Sequence, residues 1–186
     1  FDEGVQQHAQ AIVDSTPDKT NGTGIQWTPL DVDIDENGGR HYKYVDLDLE
    51  NAHRRARITL RTPDETGPDN AADIQKAGAS WWPLQVFREM DDALLHLRLN
   101  FLEIGCVVLR TEGNSETVLA IDAILEATKD DWFVNEVIHH QKRVLKRLDL
   151  MSKSLFALLD EGSCFAGSLF ELTISADRSY MLEEDV

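Results

Sequence analysis

Glu171 lies four residues beyond Gly167 in the passage "GSCFAGSLFELTISADRSY", which fills residues 162–180. A turn of small residues separates two apolar runs here. If the second run is a helix, its first backbone N–H groups have no carbonyl behind them. Such donors sit at the positive end of the helix dipole and are fixed before negative charge develops on a reacting carbonyl oxygen. An acid one turn further on shares the same helix face and could move a proton to or from a substrate held there. The chemistry suggested is oxyanion stabilisation joined to acid/base catalysis. A plainer account stands beside it: Gly167 serves only to let strand and helix pack closely, and an acid in the first turns stabilises a helix in any case.

Other motifs fail on spacing. "GSCFAGS" has the glycines of a phosphate-cradling loop, but Ser168 stands where that loop needs Lys, and Ser163 directly follows Gly162, which a nucleophile elbow does not allow. In "DIDENGGRHYKY", Asp33, Asp35, Asn37 and Gly38 resemble half of a calcium loop, yet Tyr44 occupies the position of the bidentate Glu and the flanks alternate like strands. Cys164 has no histidine nearby in sequence and reads as a small buried residue; Cys164 and Cys106 together lack metal-like or disulfide spacing. His139 and His140 are consecutive in a helix and point apart, so they read as surface or partner-facing. The cations of "KRVLKR", residues 142–147, suit the end of their helix and could also meet a phosphate. Trp81 and Trp82 read as core or interface anchors.

These residues need elements to hold them. Residues 1–14 place Val5, Ala9, Ile12 and Val13 at helical spacing, and "STPDKTNGTG" (15–24) has linker composition. Two alternating segments, 30–39 and 41–50, predict a hairpin through Asn37 and Gly38, followed by a strand over 56–61. Residues 62–80 read as a long polar connection. Ser80 is the expected cap of a helix with Pro83 in its first turn and Trp82, Val86, Phe87, Met90, Leu94 and Leu97 on its core face. "IGCVVLR" (104–110) predicts a strand covered on both faces, then helices over 118–127 and 132–148, a strand over 154–160 and a helix from Gly167. The fold class is α/β with one mixed sheet.

With 34 Asp and Glu against 18 Lys and Arg, the formal charge is −16, which opposes nucleic acid and anionic lipid at long range. No apolar run approaches the roughly 20 residues of a membrane span, and a reducing cytoplasm is expected. The 186 residues start at Phe1 rather than Met and end in "MLEEDV", where another strand is expected to begin, so a piece of a longer polypeptide is expected.

The passage "SLFALLDEGSCFAGSLFELTISAD" resembles the strand, oxyanion turn and helix of the crotonase (enoyl-CoA hydratase/isomerase) superfamily. The resemblance implies a partial crotonase-like ββα spiral over residues 25–186, preceded by a helix end and linker over 1–24. It places Gly167 on the glycine whose N–H binds the thioester oxygen, Glu171 on a catalytic glutamate and Asp177 on the aspartate that closes the segment. "VVLRTEGNSETVLAIDAILEA" is similar to the first oxyanion segment, which implies a second N–H from Leu119 or Ala120 and puts Asp122 at the acidic position. Ser168 and Leu169 stand where the family has glycines after Gly167, and Ala120 where it has one before Asp122. Longer passages, including "WWPLQVFREMDDALLHLRLNFLEIGCVVLRTEG", are similar to the ring-opening lyases of aerobic benzoyl-CoA degradation. That branch implies hydrolytic opening of epoxybenzoyl-CoA to dehydroadipyl-CoA semialdehyde and formate. It implies no cofactor beyond coenzyme A as part of the substrate, an amino-terminal crotonase-like region in the same polypeptide as partner, and a homo-oligomer. Arg54, Arg55, Arg57 and Arg61 are candidates for the CoA phosphates. Two other readings remain: a divergent module that scaffolds a catalytic crotonase domain, and an enoyl-CoA hydratase or isomerase.

Overall fold

The computed structural model describes residues 2–16 and 24–183. Helix α1 (Asp2–Ser15) buries no residue, and Val5, Ile12 and Val13 on its apolar stripe are exposed. Residues 17–23, most of the expected linker, lie outside the described residues.

Among the described residues a seven-stranded sheet is laid down in chain order: β1 (Asp33–Ile34), β2 (Arg40–His41), β3 (Val45–Glu50), β4 (Arg55–Arg61), β5 (Cys106–Glu112), β6 (Ser154–Leu159) and β7 (Arg178–Met181). Strands β1 to β4 pair antiparallel and β4 to β7 parallel, which is the mixed sheet expected. Between β4 and β5 come α2 (Ala71–Ala77) and α3 (Trp82–Asn100). Helices α4 (Ser115–Thr128) and α5 (Trp132–Leu148) join β5 to β6, and α6 (Gly167–Ser175) joins β6 to β7.

Alternation builds the core. Val45 and Leu47, then Ala56, Ile58 and Leu60, then Val107 and Leu109 are wholly buried on one face. Phe87, Met90, Leu94 and Leu97 of α3 join that cluster, as the helical spacing predicts. Trp81 and Trp82 belong to the same core, where Trp82 Nε1 donates to the Arg61 carbonyl at 3.0 Å. The opposite sheet face is charged at one side: Asp48 stands directly across from Arg57 and Glu50 from Arg55. On that face Cys106, Val108 and Arg110 of β5 are only half-buried, so the strand is not covered on both sides as its apolar run suggests.

Three further differences have local causes. The expected strand over 41–50 is broken at residues 42–44, because the Tyr44 N–H donates to Glu89 Oε2 of α3 at 2.8 Å instead of to a strand. Residues 62–80 hold a helix, α2, capped by Asn70 Oδ1 accepting the Asp73 N–H at 3.1 Å; its one buried residue, Ile74, leaves little apolar periodicity to read. Trp81, in extended conformation, takes the cap position of α3, while the Ser80 hydroxyl donates backwards to the Ala77 carbonyl at 2.8 Å. Pro83 does lie in the first turn of α3, where its missing N–H is not needed. No helix among the described residues is long and apolar enough to cross a membrane.

Candidate functional site

The small residues between β6 and α6 tie the carboxyl ends of the parallel strands together. Gly162, at φ +81°, offers its carbonyl to the Gly113 N–H at 3.2 Å, and the Cys164 N–H donates to Thr111 Oγ1 at 2.9 Å. Ser163 Oγ donates to Asp160 Oδ1 and accepts the Asp160 N–H, both at 3.0 Å, while Arg110 pairs with Asp160. The turn is therefore anchored to β5 before α6 begins. Cys164 is buried, and burial pushes its thiol up, away from a nucleophilic thiolate at neutral pH.

Helix α6 opens at Gly167, whose φ of +50° and whose neighbours both demand glycine. A Cβ there would collide with Asp122 Oδ2 and lie 3.5 Å from Leu119 Cδ2. Ala166, at the cap position, has no side-chain acceptor. Asp122 of α4 supplies one from across the fold, accepting the Ser168 N–H at 2.5 Å. Burial pushes the Asp122 carboxyl above the usual aspartate range, and the Ser168 N–H partly opposes that shift. Ser168 Oγ lies near the same carboxylate without reaching hydrogen-bond geometry. Among the described residues, no acceptor takes the Gly167 N–H.

The second donor is placed differently. Leu119 and Ala120 are the fifth and sixth residues of α4, where each N–H points to the carbonyl four residues back. Neither amide is presented beside Gly167, although the Leu119 side chain packs there. The physical reason is the Asn114 cap, which starts α4 at Ser115, earlier than the expected 118, by accepting the Glu116 N–H at 2.8 Å.

Glu171 is exposed, on the same face of α6 as Gly167, and makes no hydrogen bond or ion pair among the described residues. With Ser168 it forms one wall of a groove of about 660 Å³, whose other wall is α5 with Ile138, Lys142, Leu145 and Lys146. The spacing 138, 142, 145 along α5 contains this wall, but nothing local reveals that α6 lies opposite. Asp177 has a structural use: its N–H donates to the Leu155 carbonyl and its Oδ2 accepts the Leu155 N–H, both at 2.8 Å, which fixes the entry to β7.

The four arginine candidates are engaged elsewhere. Arg54 Nε donates to the Glu103 carbonyl at 2.7 Å, Arg55 pairs with Glu50, Arg57 Nε lies 3.1 Å from Asp48, and Arg61 pairs with Asp46 and Glu112. His139 is exposed at the groove, whereas His140 is half-buried, with Nε2 lacking a partner among the described residues; burial pushes its pKa down. The surface reading holds for the first histidine only.

No family model matches the chain. Among solved structures, an enoyl-CoA hydratase from Geobacillus kaustophilus aligns with a TM-score of 0.48 at 13% identity, covering 77% of this chain and 47% of that one. AtuE of Pseudomonas aeruginosa aligns with a TM-score of 0.48 at 16% identity, covering 74% and 47%. Benzoyl-CoA-dihydrodiol lyase of Aromatoleum evansii is 44% identical over 183 residues, which are 98% of this chain and 33% of that protein. Across nearly all of its residues, then, the chain is a relative of benzoyl-CoA-dihydrodiol lyase, spanning about a third of that enzyme's length.

Proposed function

We propose that the chain is part of a CoA-thioester lyase of the crotonase superfamily that opens the ring of epoxybenzoyl-CoA hydrolytically, giving dehydroadipyl-CoA semialdehyde and formate. The observation that carries this reading is the 44% identity to a benzoyl-CoA-dihydrodiol lyase over 98% of the chain. The geometry of α6 supports a direct role for it. The Gly167 N–H, which no acceptor among the described residues takes, would hold the thioester oxygen as negative charge gathers on it, and Glu171 would carry the proton. That scheme asks for no metal or redox group. It includes an amino-terminal crotonase-like region as partner, a homo-oligomer and a cytoplasmic setting.

A second reading has its own support: a crotonase-like module that braces a catalytic region and turns over nothing. The Leu119 and Ala120 amides lie within α4, and the Ser168 amide already holds Asp122, so a two-donor hole would need its other donor from outside these segments.

Formate release from epoxybenzoyl-CoA by the intact enzyme separates the two. With Glu171→Gln the catalytic reading predicts a fall in kcat of roughly 10²- to 10⁴-fold, the usual worth of a positioned acid or base. Unchanged turnover would leave only the bracing role.

A further inference from the structure

The chain carries a formal charge of −16, and its arginines repeatedly lie against an acid, as Arg40 does with Asp92, Arg110 with Asp160 and Arg147 with Asp91. Lys142 and Lys146 break that pattern. Both line the groove between α5 and α6, and neither makes an ion pair with any of the described residues. Four residues apart, they extend along one face of α5. Ile138, one turn before Lys142, and Leu145, one turn after it, line the same groove, so the wall offers apolar surface beside two ammonium groups. Lys146 lies in the last turn of α5, where the helix dipole favours a cation.

From this groove we infer a site for the phosphate groups of an acyl-CoA, with Lys142 and Lys146 as the phosphate-binding residues and the apolar surface beside the pantetheine arm. The inference rests on the acyl-thioester reading above and orders the ligand along the groove. The α6 wall carries the Glu171 carboxylate, which repels phosphate, so the anionic end lies over α5 and the neutral arm runs towards Ser168 and Glu171 at the start of α6. It also accounts for where the phosphates are not: Arg55, Arg57 and Arg61 are already paired on the far side of the sheet. Inside a molecule of this net charge the attraction works at short range, because salt screens the general repulsion beyond about 10 Å.

Calorimetric titration of the chain with coenzyme A, and in parallel with pantetheine, which lacks the phosphates, tests the assignment. Coenzyme A should bind roughly tenfold or more weakly to Lys142→Glu/Lys146→Glu, and progressively more weakly to the wild type as salt rises, while pantetheine binds both proteins alike. The milder Lys142→Gln/Lys146→Gln variant, with an unchanged circular dichroism spectrum, should show a smaller loss in the same direction. Coenzyme A binding that is unchanged in both variants, or equal losses for coenzyme A and pantetheine, would overturn the inference. Its failure is separable from that of the lyase reading. If Glu171→Gln stops turnover while the lysine variants bind coenzyme A normally, this inference falls and the lyase reading stands. The reverse pattern has the opposite meaning.

Discussion

Asp122 does at long range what a capping side chain does locally. Its carboxylate reaches from α4 to the Ser168 N–H, 46 residues away in sequence, and occupies the space a side chain on residue 167 would need. Asp122→Ala leaves the Ser168 N–H without its partner and should cost about 1–3 kcal/mol in a denaturant melt. Asp122→Asn keeps an acceptor and loses the charge that burial disfavours, so it should be milder than the alanine variant at neutral pH. A sign follows from the raised carboxyl. Between the ordinary aspartate value of 3.8 and the raised folded one, the native state holds a proton that the unfolded chain releases, so this group's stabilisation is complete below 3.8 and lost as pH rises through the folded value. The asparagine variant should lack that slope, and urea midpoints measured from pH 3 to 7 would reveal it. Gly167→Ala should destabilise more than an ordinary helix-start substitution, since it adds a clash to a left-handed backbone.

The elements divide into those whose causes are local and those whose causes are not. Helix α5 is legible to its ends, Trp132 and Leu148, because Asp131 caps it, accepting the Phe133 N–H at 2.9 Å, and its apolar residues repeat at helical spacing. Strands β4 and β6 and the start of α6 are legible for similar reasons. The break between β2 and β3 is not, since it depends on Glu89, 45 residues away from Tyr44. The α5–α6 groove is illegible in the same sense: each wall can be read, but their meeting cannot. The hairpin tip is a local device. Asp35 Oδ1 accepts the Asn37 N–H at 2.7 Å and the Gly39 N–H at 2.8 Å, and the Gly39 contact above all holds its carboxyl below the ordinary 3.8 despite some burial. That stabilisation is present above 3.8 and lost as pH falls towards the depressed value. The Asn37 and Gly39 amide resonances should therefore titrate with a midpoint under 3.8. A midpoint at or above it would contradict the turn.

At the scale of the whole molecule, one sheet serves two purposes. Its apolar face and α3 form the core, so Leu94→Ala, at a fully buried position, should cost about 2–5 kcal/mol by transfer and cavity terms together. Its carboxyl ends hold the loops that place α4 and α6 side by side, with Gly167 against Asp122 and with Ser168 and Glu171 of the same helix lining the groove. The central claim is that this junction receives a thioester. A crystal structure of the intact enzyme with a bound substrate analogue tests it most directly. The account predicts the thioester oxygen about 2.7–3.2 Å from the Gly167 nitrogen, with Glu171 facing the acyl group. An analogue seated with its carbonyl away from Gly167, and that N–H facing solvent or another protein group, would contradict it.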